Sequence, residues 1–128
     1  MFDTPYVMKL AQNLARHAGA RQAQIAKNIA NADTPGYRAR DVVAFSDNFR
    51  ESDGLEFKST RARHMAAASF APSYRTFDIG GEASPNGNNV SVEVEMARGT
   101  DAKSNHELAL TVYKSSLDIL RASLGRGR

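Results

Sequence analysis

The residues that could do chemistry are three histidines and a number of carboxylates, and their spacing matches no common catalytic or metal-binding arrangement. His17, His64 and His106 lie far apart along the chain, so they do not form a metal-ligand motif. His17 and His106 fall on helix patterns, where a solvated or packing role is the ordinary one. The acidic residues at positions 47–56 lack the spacing of a calcium-binding loop. There is no cysteine, which excludes thiolate ligands and cysteine nucleophiles.

Catalysis by general acids, bases or nucleophiles requires titratable groups that are held together, and no segment of this sequence groups them. The motifs of nucleophile elbows, zinc proteases, dinucleotide-binding folds and P-loops are absent from the sequence. The sequence therefore predicts a protein that is not an enzyme, with no catalytic residue, no metal site and no cofactor.

The charges are spread along the chain, with a net charge of +3 and a pI of about 9.4. Because no face or tail concentrates them, we expect no nucleic-acid partner. Lys58, Arg61 and Arg63 form a small basic cluster, which is either a solvated face or a contact for an acidic partner. The glycines of segment 80–87 lie among turn-forming residues and indicate a loop rather than a phosphate cradle.

The first element that could position these residues is an amphipathic helix, which the pattern of residues 6–31 predicts. Pro5 suits its first turn, where the missing N–H costs nothing. The stripe recurs at spacings of three and four and is widened by Leu10. Its members are Val7, Ala11, Leu14, Ala18, Gln22, Ile25 and Ile29.

This helix pattern stops at a run that predicts a turn. Asn31 or Asp33 suits a helix end, because both side-chain types tolerate or bond to turn conformations. Thr34 precedes a proline and is pushed out of the α region. Pro35 and Gly36 fit the two central positions of a type II turn, since glycine accepts a positive φ.

The segment between the helix patterns, residues 32–90, is irregular. Residues 37–45 alternate apolar and polar side chains, interrupted by Asp41, and predict a short strand or extended segment. Residues 55–58 could form another strand, and residues 60–68 have moderate helix propensity. A segment of this length without regular structure is usually functional or ordered by a partner.

Residues 91–124 predict a long C-terminal helix, with Ser91 as a suitable N-cap and Gly125 as its stop. Leu108, Val112 and Ile119 form one apolar row on it. The neighbouring seam alternates spacings of three and four and is strongest in its second half. Its members are Val92, Met96, Gly99, Lys103, His106, Leu110, Tyr113, Leu117, Leu120 and Leu124.

These patterns predict a single domain over residues 1–128 of the mainly α class. Long N- and C-terminal helices pair as an antiparallel coiled coil, and a small irregular or β-containing segment lies between them. Hydrophobic residues make up 41% of the chain, and many are alanines that bury little area. The seams could bury each other in a self-contained hairpin. The modest core favours the alternative, in which the helices complete their packing against other subunits.

No basic and apolar leader opens the sequence, and no apolar stretch reaches the length of a membrane span, so we expect neither a cleaved signal nor a transmembrane helix. The helix-to-turn run also carries a family motif. It resembles the A-x-N-[IL]-A-N-x-x-T-P-G-[YF] signature of the flagellar rod, hook and hook-filament axial proteins. The matching residues are Ala26, Asn28, Ile29, Ala30, Asn31, Thr34, Pro35, Gly36 and Tyr37.

Further features resemble the proximal rod subunits of that family. They are the short chain, the Met1-Phe2 start, Arg38-Ala39-Arg40-Asp41, and Asn86-Gly87-Asn88-Asn89-Val90 with Glu93 and Met96. The resemblance implies a structural subunit of the bacterial flagellar basal body. Such subunits leave the cytoplasm through the flagellar type III export apparatus without a cleaved signal. They polymerise through their terminal helices into a helical tube that crosses the periplasm. The tube connects the export gate and MS ring to the distal rod and transmits torque.

The partners that this implies are copies of the chain itself, other rod proteins, the rod-base adaptor, the MS ring and the export gate. The helix stripes would carry assembly. The expected assembly seam consists of Leu10, Leu14, Ile25, Ile29, Leu110, Tyr113, Leu117, Leu120 and Leu124. The alternative function is a soluble helical export chaperone or adaptor, which would bind a partner helix in a groove and stay in the cytoplasm.

Overall fold

The computed structural model describes residues 5–47 and 74–125, and two long helices dominate it. Helix α1 spans Tyr6–Ala30 and helix α2 spans Val92–Gly125. These limits confirm the predicted helices over 6–31 and 91–124 to within one residue at each end. The predicted strand at 55–58, the helix-prone residues 60–68, His64 and the basic cluster lie outside the described residues.

The ends of the helices follow the local sequence. The carbonyl of Pro5 accepts the N–H groups of Met8 and Lys9 at 2.9 and 3.2 Å, which starts α1. Ser91 starts α2, because its Oγ accepts the N–H of Val94 at 3.4 Å and its carbonyl accepts the N–H of Glu95 at 2.9 Å. Both helices therefore begin at the residue type that the sequence indicated.

Helices α1 and α2 pack against each other in antiparallel orientation. Asn28, near the end of α1, bonds Glu95 in the first turn of α2, and the carbonyl of Ala15 is 3.3 Å from Nδ1 of His106. Between these contacts, a Cβ built on Gly99 would lie 3.8 Å from Cγ2 of Ile25. The predicted pairing of the terminal helices is confirmed.

The core is small, and alanine is its commonest residue. The buried apolar residues among those described are Met8, Ala11, Ala18, Ile25, Ala39, Val42, Ala102 and Ala109. Because an alanine side chain removes little apolar area from water, this core contributes little stability for its length. Small side chains at the contact allow the backbones of the two helices to approach closely.

A two-stranded antiparallel sheet occupies the middle of the chain. Strand β1 spans Arg40–Val42 and pairs with β2, which spans Thr76–Asp78. The pairing register places Asp41 opposite Phe77. The strand predicted over 37–45 is shorter than expected, since only three of its residues pair. The sheet packs on α1 through β1, whose last two residues are buried.

The side of α2 that faces α1 is only partly the predicted seam, because every second residue at the contact is a different one. Positions 92, 99, 106 and 113 are shared, but the buried residues between them are Glu95, Ala102 and Ala109 rather than Met96, Lys103 and Leu110. The helix is rotated so that small residues meet α1, because α1 also presents alanines there. Leu110 is 51% exposed as a result. No helix within residues 5–47 and 74–125 is long and apolar enough to cross a membrane.

Candidate functional site

The centre of the family motif is Asn28, whose side chain is fully buried and fully hydrogen-bonded. Its Nδ2 donates to the carbonyl of Arg40 at 2.7 Å and to Oε2 of Glu95 at 2.9 Å. Its Oδ1 accepts from Nε2 of Gln24 at 3.0 Å, from the hydroxyl of Tyr37 at 3.2 Å and from the N–H of Arg40 at 3.3 Å. One amide thus joins α1, the turn, β1 and α2, which only a side chain with both donors and acceptors can do.

Glu95 is the partner of Asn28 on α2 and is 1% exposed. Its second carboxylate oxygen, Oε1, accepts from NH1 of Arg98 at 2.7 Å, one helical turn later. A buried carboxylate is costly unless it is paired and hydrogen-bonded, and this one is both. Among the described residues, every buried side-chain nitrogen or oxygen has a partner.

The Pro35-Gly36 turn leads the chain out of α1. The N–H of Tyr37 donates to the carbonyl of Thr34 at 3.2 Å, and Gly36 has a φ of +72°. This geometry confirms the predicted turn with glycine at its third position. At the end of the helix, Nδ2 of Asn31 donates to the carbonyl of Lys27 at 2.7 Å, so Asn31 is the residue that closes α1.

A second segment, residues 86–90, closes over this turn. Nδ2 of Asn88 lies within hydrogen-bond distance of three carbonyl oxygens, those of Asn31, Ala32 and Thr34, at 2.8–2.9 Å. Those carbonyls belong to the end of α1 and the start of the turn, where helical partners have run out. Asn88 is 3% exposed. We call this set of contacts the Asn88 clasp.

Backbone contacts bring the two segments still closer. The N–H of Gly36 donates to the carbonyl of Asn86 at 2.9 Å. Gly87 has a φ of +84°, and a Cβ added to it would lie 3.3 Å from Cα of Gly36. Asn89 continues the contact, because its Oδ1 accepts the N–H of Ala39 at 2.6 Å. Glycine is required at position 87 both for its φ and for the approach of the turn.

A further ion pair ties β1 to α1. Nε and NH2 of Arg21 donate to the Asp41 carboxylate, at 3.0 Å to Oδ1 and at 2.8 Å to Oδ2. Burial by itself would raise the pKa of Asp41. The hydrogen bonds from Arg21 and from the N–H of Val42, with the charge of Arg21, outweigh it and hold that pKa below its ordinary value of 3.8. The same pairing raises the pKa of Arg21.

His17 is a packing residue in this arrangement. It is buried, its Nε2 lies 2.8 Å from the carbonyl of Val43, and its ring meets those of Phe45 and Tyr74 edge-on at 5.6 and 5.5 Å. Because a carbonyl can only accept, Nε2 carries the hydrogen. Of the two roles expected for His17, solvated or packing, the structure shows packing.

The motif residues fall into two groups in the structure. The side chains of Asn28 and Tyr37 form hydrogen bonds in the interior, whereas Asn31 bonds Lys27 at the surface and the remaining motif residues also lie there. Ile29 is 36% exposed, and Ala30, Thr34, Pro35 and Gly36 are exposed. We use the name corner for residues 28–41 with residues 86–98. Its geometry can hold a helix pair and a turn in one orientation.

The expected assembly seam is only partly used inside the chain. Ile25 is buried, and Leu10, Leu14, Tyr113 and Leu117 are half-buried. Leu120 and Leu124 are 37% and 82% exposed. The role of these residues in assembly stays a prediction.

Sequence reasoning missed Glu95, Asn88 and Asp41 as structural residues of the corner. A glutamate in the first turn of a helix ordinarily faces water, so its burial had no local signal. The dense run of asparagines at 86–89 was a usable signal, because buried amides commonly bond to backbone groups at turns. Within the described residues, no group of side chains is placed to hold a metal ion.

Comparisons with known proteins show the family of the chain. A family described as flagella basal body rod protein matches residues 16–38, which cover the second half of α1 and the turn. The chain is 32% identical to the flagellar basal body rod protein FlgB of Salmonella typhimurium over 122 residues, which cover 86% of each protein. It is 30% identical to FlgB of Bacillus subtilis over 118 residues, or 91% of this chain and 92% of that protein. The likeness therefore extends along both helices and the middle segment, and the chain belongs to the family of flagellar basal body rod proteins FlgB.

Proposed function

We propose that this member of the rod family is a proximal rod subunit that polymerises through its terminal helices into a helical tube. The observation that carries the proposal is a contrast within α2. The buried residues of α2 are Glu95, Ala102 and Ala109. After position 109, the described part of α2 has no buried residue and exposes large apolar side chains, whereas nearer its start only Val94, Met96 and Leu108 are exposed in this way. Such exposed apolar surface is typical of a protein interface.

One part of this surface results from the different lengths of the helices. Ala15 is level with His106, so counting nine residues back along α1 and nine forward along α2 places Tyr6 level with position 115. Ten residues of α2, 116–125, therefore extend past the start of α1, over about 15 Å. Leu120 and Leu124 lie in this overhang.

The other part is the row of Leu108, Val112 and Ile119, which are 55%, 37% and 69% exposed. At about 100° per residue, this row lies roughly 100° around α2 from the side that meets α1. A helix with apolar surface on two sides can contact two neighbours at once. That property suits a subunit of a tube, where each copy contacts copies beside it and along the axis.

The proposed partners follow from this role. They are copies of the chain itself, other rod proteins, the rod-base adaptor with the MS ring, and the export gate. The subunit would reach the periplasmic space through the flagellar type III export apparatus without a cleaved signal. In the assembled rod, it would connect the gate to the distal rod and transmit torque.

Incorporation into basal bodies tests the proposal. Ile119→Asp places a charge in the exposed row, whereas Thr111→Asp places the same charge on the side of α2 that faces away from α1. Both residues are exposed, so we expect both variants to fold with unchanged helical content. We expect Ile119→Asp to be lost from purified basal bodies and to abolish motility, while Thr111→Asp is incorporated. Equal incorporation of the two variants would contradict the proposal, and a native chain found only in the cytoplasm beside cargo would favour a chaperone.

A further inference from the structure

The packing between α1 and α2 repeats every seven residues, so a slip of one heptad would keep the same two α2 series on the side that meets α1. Small or apolar residues occupy one series on α1, and on α2 alanines continue the series that Glu95 begins. The α1 series is Ala11, Ala18 and Ile25, and the α2 series is Glu95, Ala102 and Ala109. If α2 slid by seven residues toward the corner, about 10 Å along its axis, Ala109 would take the place of Ala102 and Ser116 that of Ala109, so small residues would still meet α1.

Apolar burial by itself does not oppose that slip. The second α2 series consists of Val92, Gly99, His106 and Tyr113, and Leu120 continues it at the same spacing. A slip that moves each residue one heptad toward the corner would bring Leu120 to the place of Tyr113, Tyr113 to that of His106 and His106 to that of Gly99, beside Ile25. It would also cover part of the exposed overhang with α1. By area alone, the slipped register competes with the observed one.

The polar contacts distinguish the two registers. In the observed register, Asn28 meets Glu95 at 2.9 Å, and both side chains are buried. In the slipped register, Asn28 would face Ala102, so its buried Nδ2 would lose the carboxylate. Nδ2 would keep its hydrogen bond to the carbonyl of Arg40, but its second N–H would be buried without a partner, which carries a desolvation penalty. The register that the structure shows is the one in which this group is paired.

The Arg21–Asp41 pair opposes a slip in the other direction. Moving α2 one heptad the opposite way would bring Glu95 level with Arg21, where the two charges would attract. In the structure, Arg21 already donates two hydrogen bonds to the Asp41 carboxylate, at 3.0 and 2.8 Å. The competing ion pair would have to break this bidentate contact first.

We propose that Asn28 and Glu95 are the residues that determine the register of the helix pair, in the way that single buried polar residues specify register in coiled coils. The register sets how far α2 extends past α1. If the overhang contacts neighbouring subunits, as the proposed function holds, Asn28 and Glu95 also set the position of that contact. The register itself is a property of the isolated chain and is tested without assembly.

Disulfide formation between the helices reports the register, and the chain has no cysteine of its own. Ile25→Cys with Gly99→Cys places thiols together in the observed register, where the Cβ of position 99 is 3.8 Å from the Ile25 side chain. Ile25→Cys with His106→Cys places them together after a slip of one heptad. With the native Asn28 and Glu95, we expect the first pair to oxidise at least about tenfold faster than the second.

Each of the two cysteine pairs, which serve as reporters of the register, is combined with two sets of substitutions at the polar contact. Asn28→Leu with Glu95→Leu removes both polar groups, and we expect the tenfold preference to fall to within about threefold while the helical signal persists. Glu95→Ala with Ala102→Glu moves the carboxylate by one heptad and keeps Asn28. For this variant we expect the preference to reverse, with the second reporter oxidising faster.

Asn88→Ala is the matched control, because it removes the clasp and leaves Asn28 and Glu95 in place. We expect it to keep the native preference. The proposal is overturned if the Leu variant stays as selective as the native chain, or if Asn88→Ala loses selectivity instead. Loss of helical circular dichroism in both sets of variants also overturns it, because the pair would then be needed for folding rather than for register. Loss of assembly with unchanged crosslinking would bear on the proposed function alone.

Discussion

The corner and the C-terminal half of α2 are built on opposite principles. The corner is polar, buried and closed, since Asn28, Glu95 and Asn88 find all their partners within the chain. The C-terminal half is apolar and open, with Ile119 and Leu124 largely exposed. A polar network requires defined partners and therefore gives a single geometry, whereas an apolar surface binds whatever complementary surface covers it. The chain therefore fixes its own shape at one end and exposes apolar surface at the other, where the proposed assembly would cover it.

The change with the largest expected effect is Asn28→Ala in the corner. It removes the donor to Glu95 and Arg40 and leaves buried groups without partners, which we expect to lower the free energy of unfolding by about 3 kcal/mol. Denaturant unfolding followed by circular dichroism measures it. Asn31→Ala is the control at the surface of the same turn and is expected to cost about 1 kcal/mol. Equal costs for the two variants would mean that the corner is not the rigid end of the molecule.

Gly87→Ala is expected to have the next largest effect, about 2 kcal/mol, because the new Cβ meets the backbone of Gly36 and the residue has a positive φ. Gly81→Ala is the matched control. Position 81 also has a positive φ, of +96°, but a Cβ there meets open space. We expect about 1 kcal/mol for the control. The difference between the two unfolding free energies isolates the close approach of the two segments.

The Arg21–Asp41 pair makes the stability of the corner depend on pH. The pKa of Asp41 is lower in the folded chain than its ordinary value of 3.8, so the pair's contribution is present above that value. It is lost as the pH falls through the lower folded pKa. We expect the thermal unfolding midpoint of the native chain to fall when the pH is lowered from 5 to roughly below 3. The midpoint of the Asp41→Asn variant should fall less over the same range. Parallel pH profiles for the two proteins would rule this contribution out.

The smallest effect on stability is expected from Leu124→Ser at the open end. Leu124 is 82% exposed, so its side chain gains little from folding of the isolated chain. We expect a change within about 0.5 kcal/mol in unfolding free energy. The same variant should be incorporated into basal bodies less well than the native chain. A large loss of stability would show that the open end contributes to the fold of the monomer.

The sequence predicted the two helices well because their signals are local. Proline at the start of α1 and serine at the start of α2 fix helix ends within one turn, and the Pro35-Gly36 pair fixes the turn between them. The side of α2 that meets α1 was predicted less well. A stripe of leucines has the larger apolar area, but the side with alanines allows the closer approach of the two backbones.

The sequence by itself determined the helices, the turn and the likeness to flagellar rod proteins, because each depends on neighbouring residues and their spacing. Only the tertiary structure decided that Glu95 is buried against Asn28, 67 residues away along the chain. It also decided that Asn88 bonds the free carbonyls at the end of α1 and that Leu120 and Leu124 of the overhang face outward. A hydrogen bond between distant segments depends on where the backbone brings them, and the identity of either residue alone does not specify that meeting.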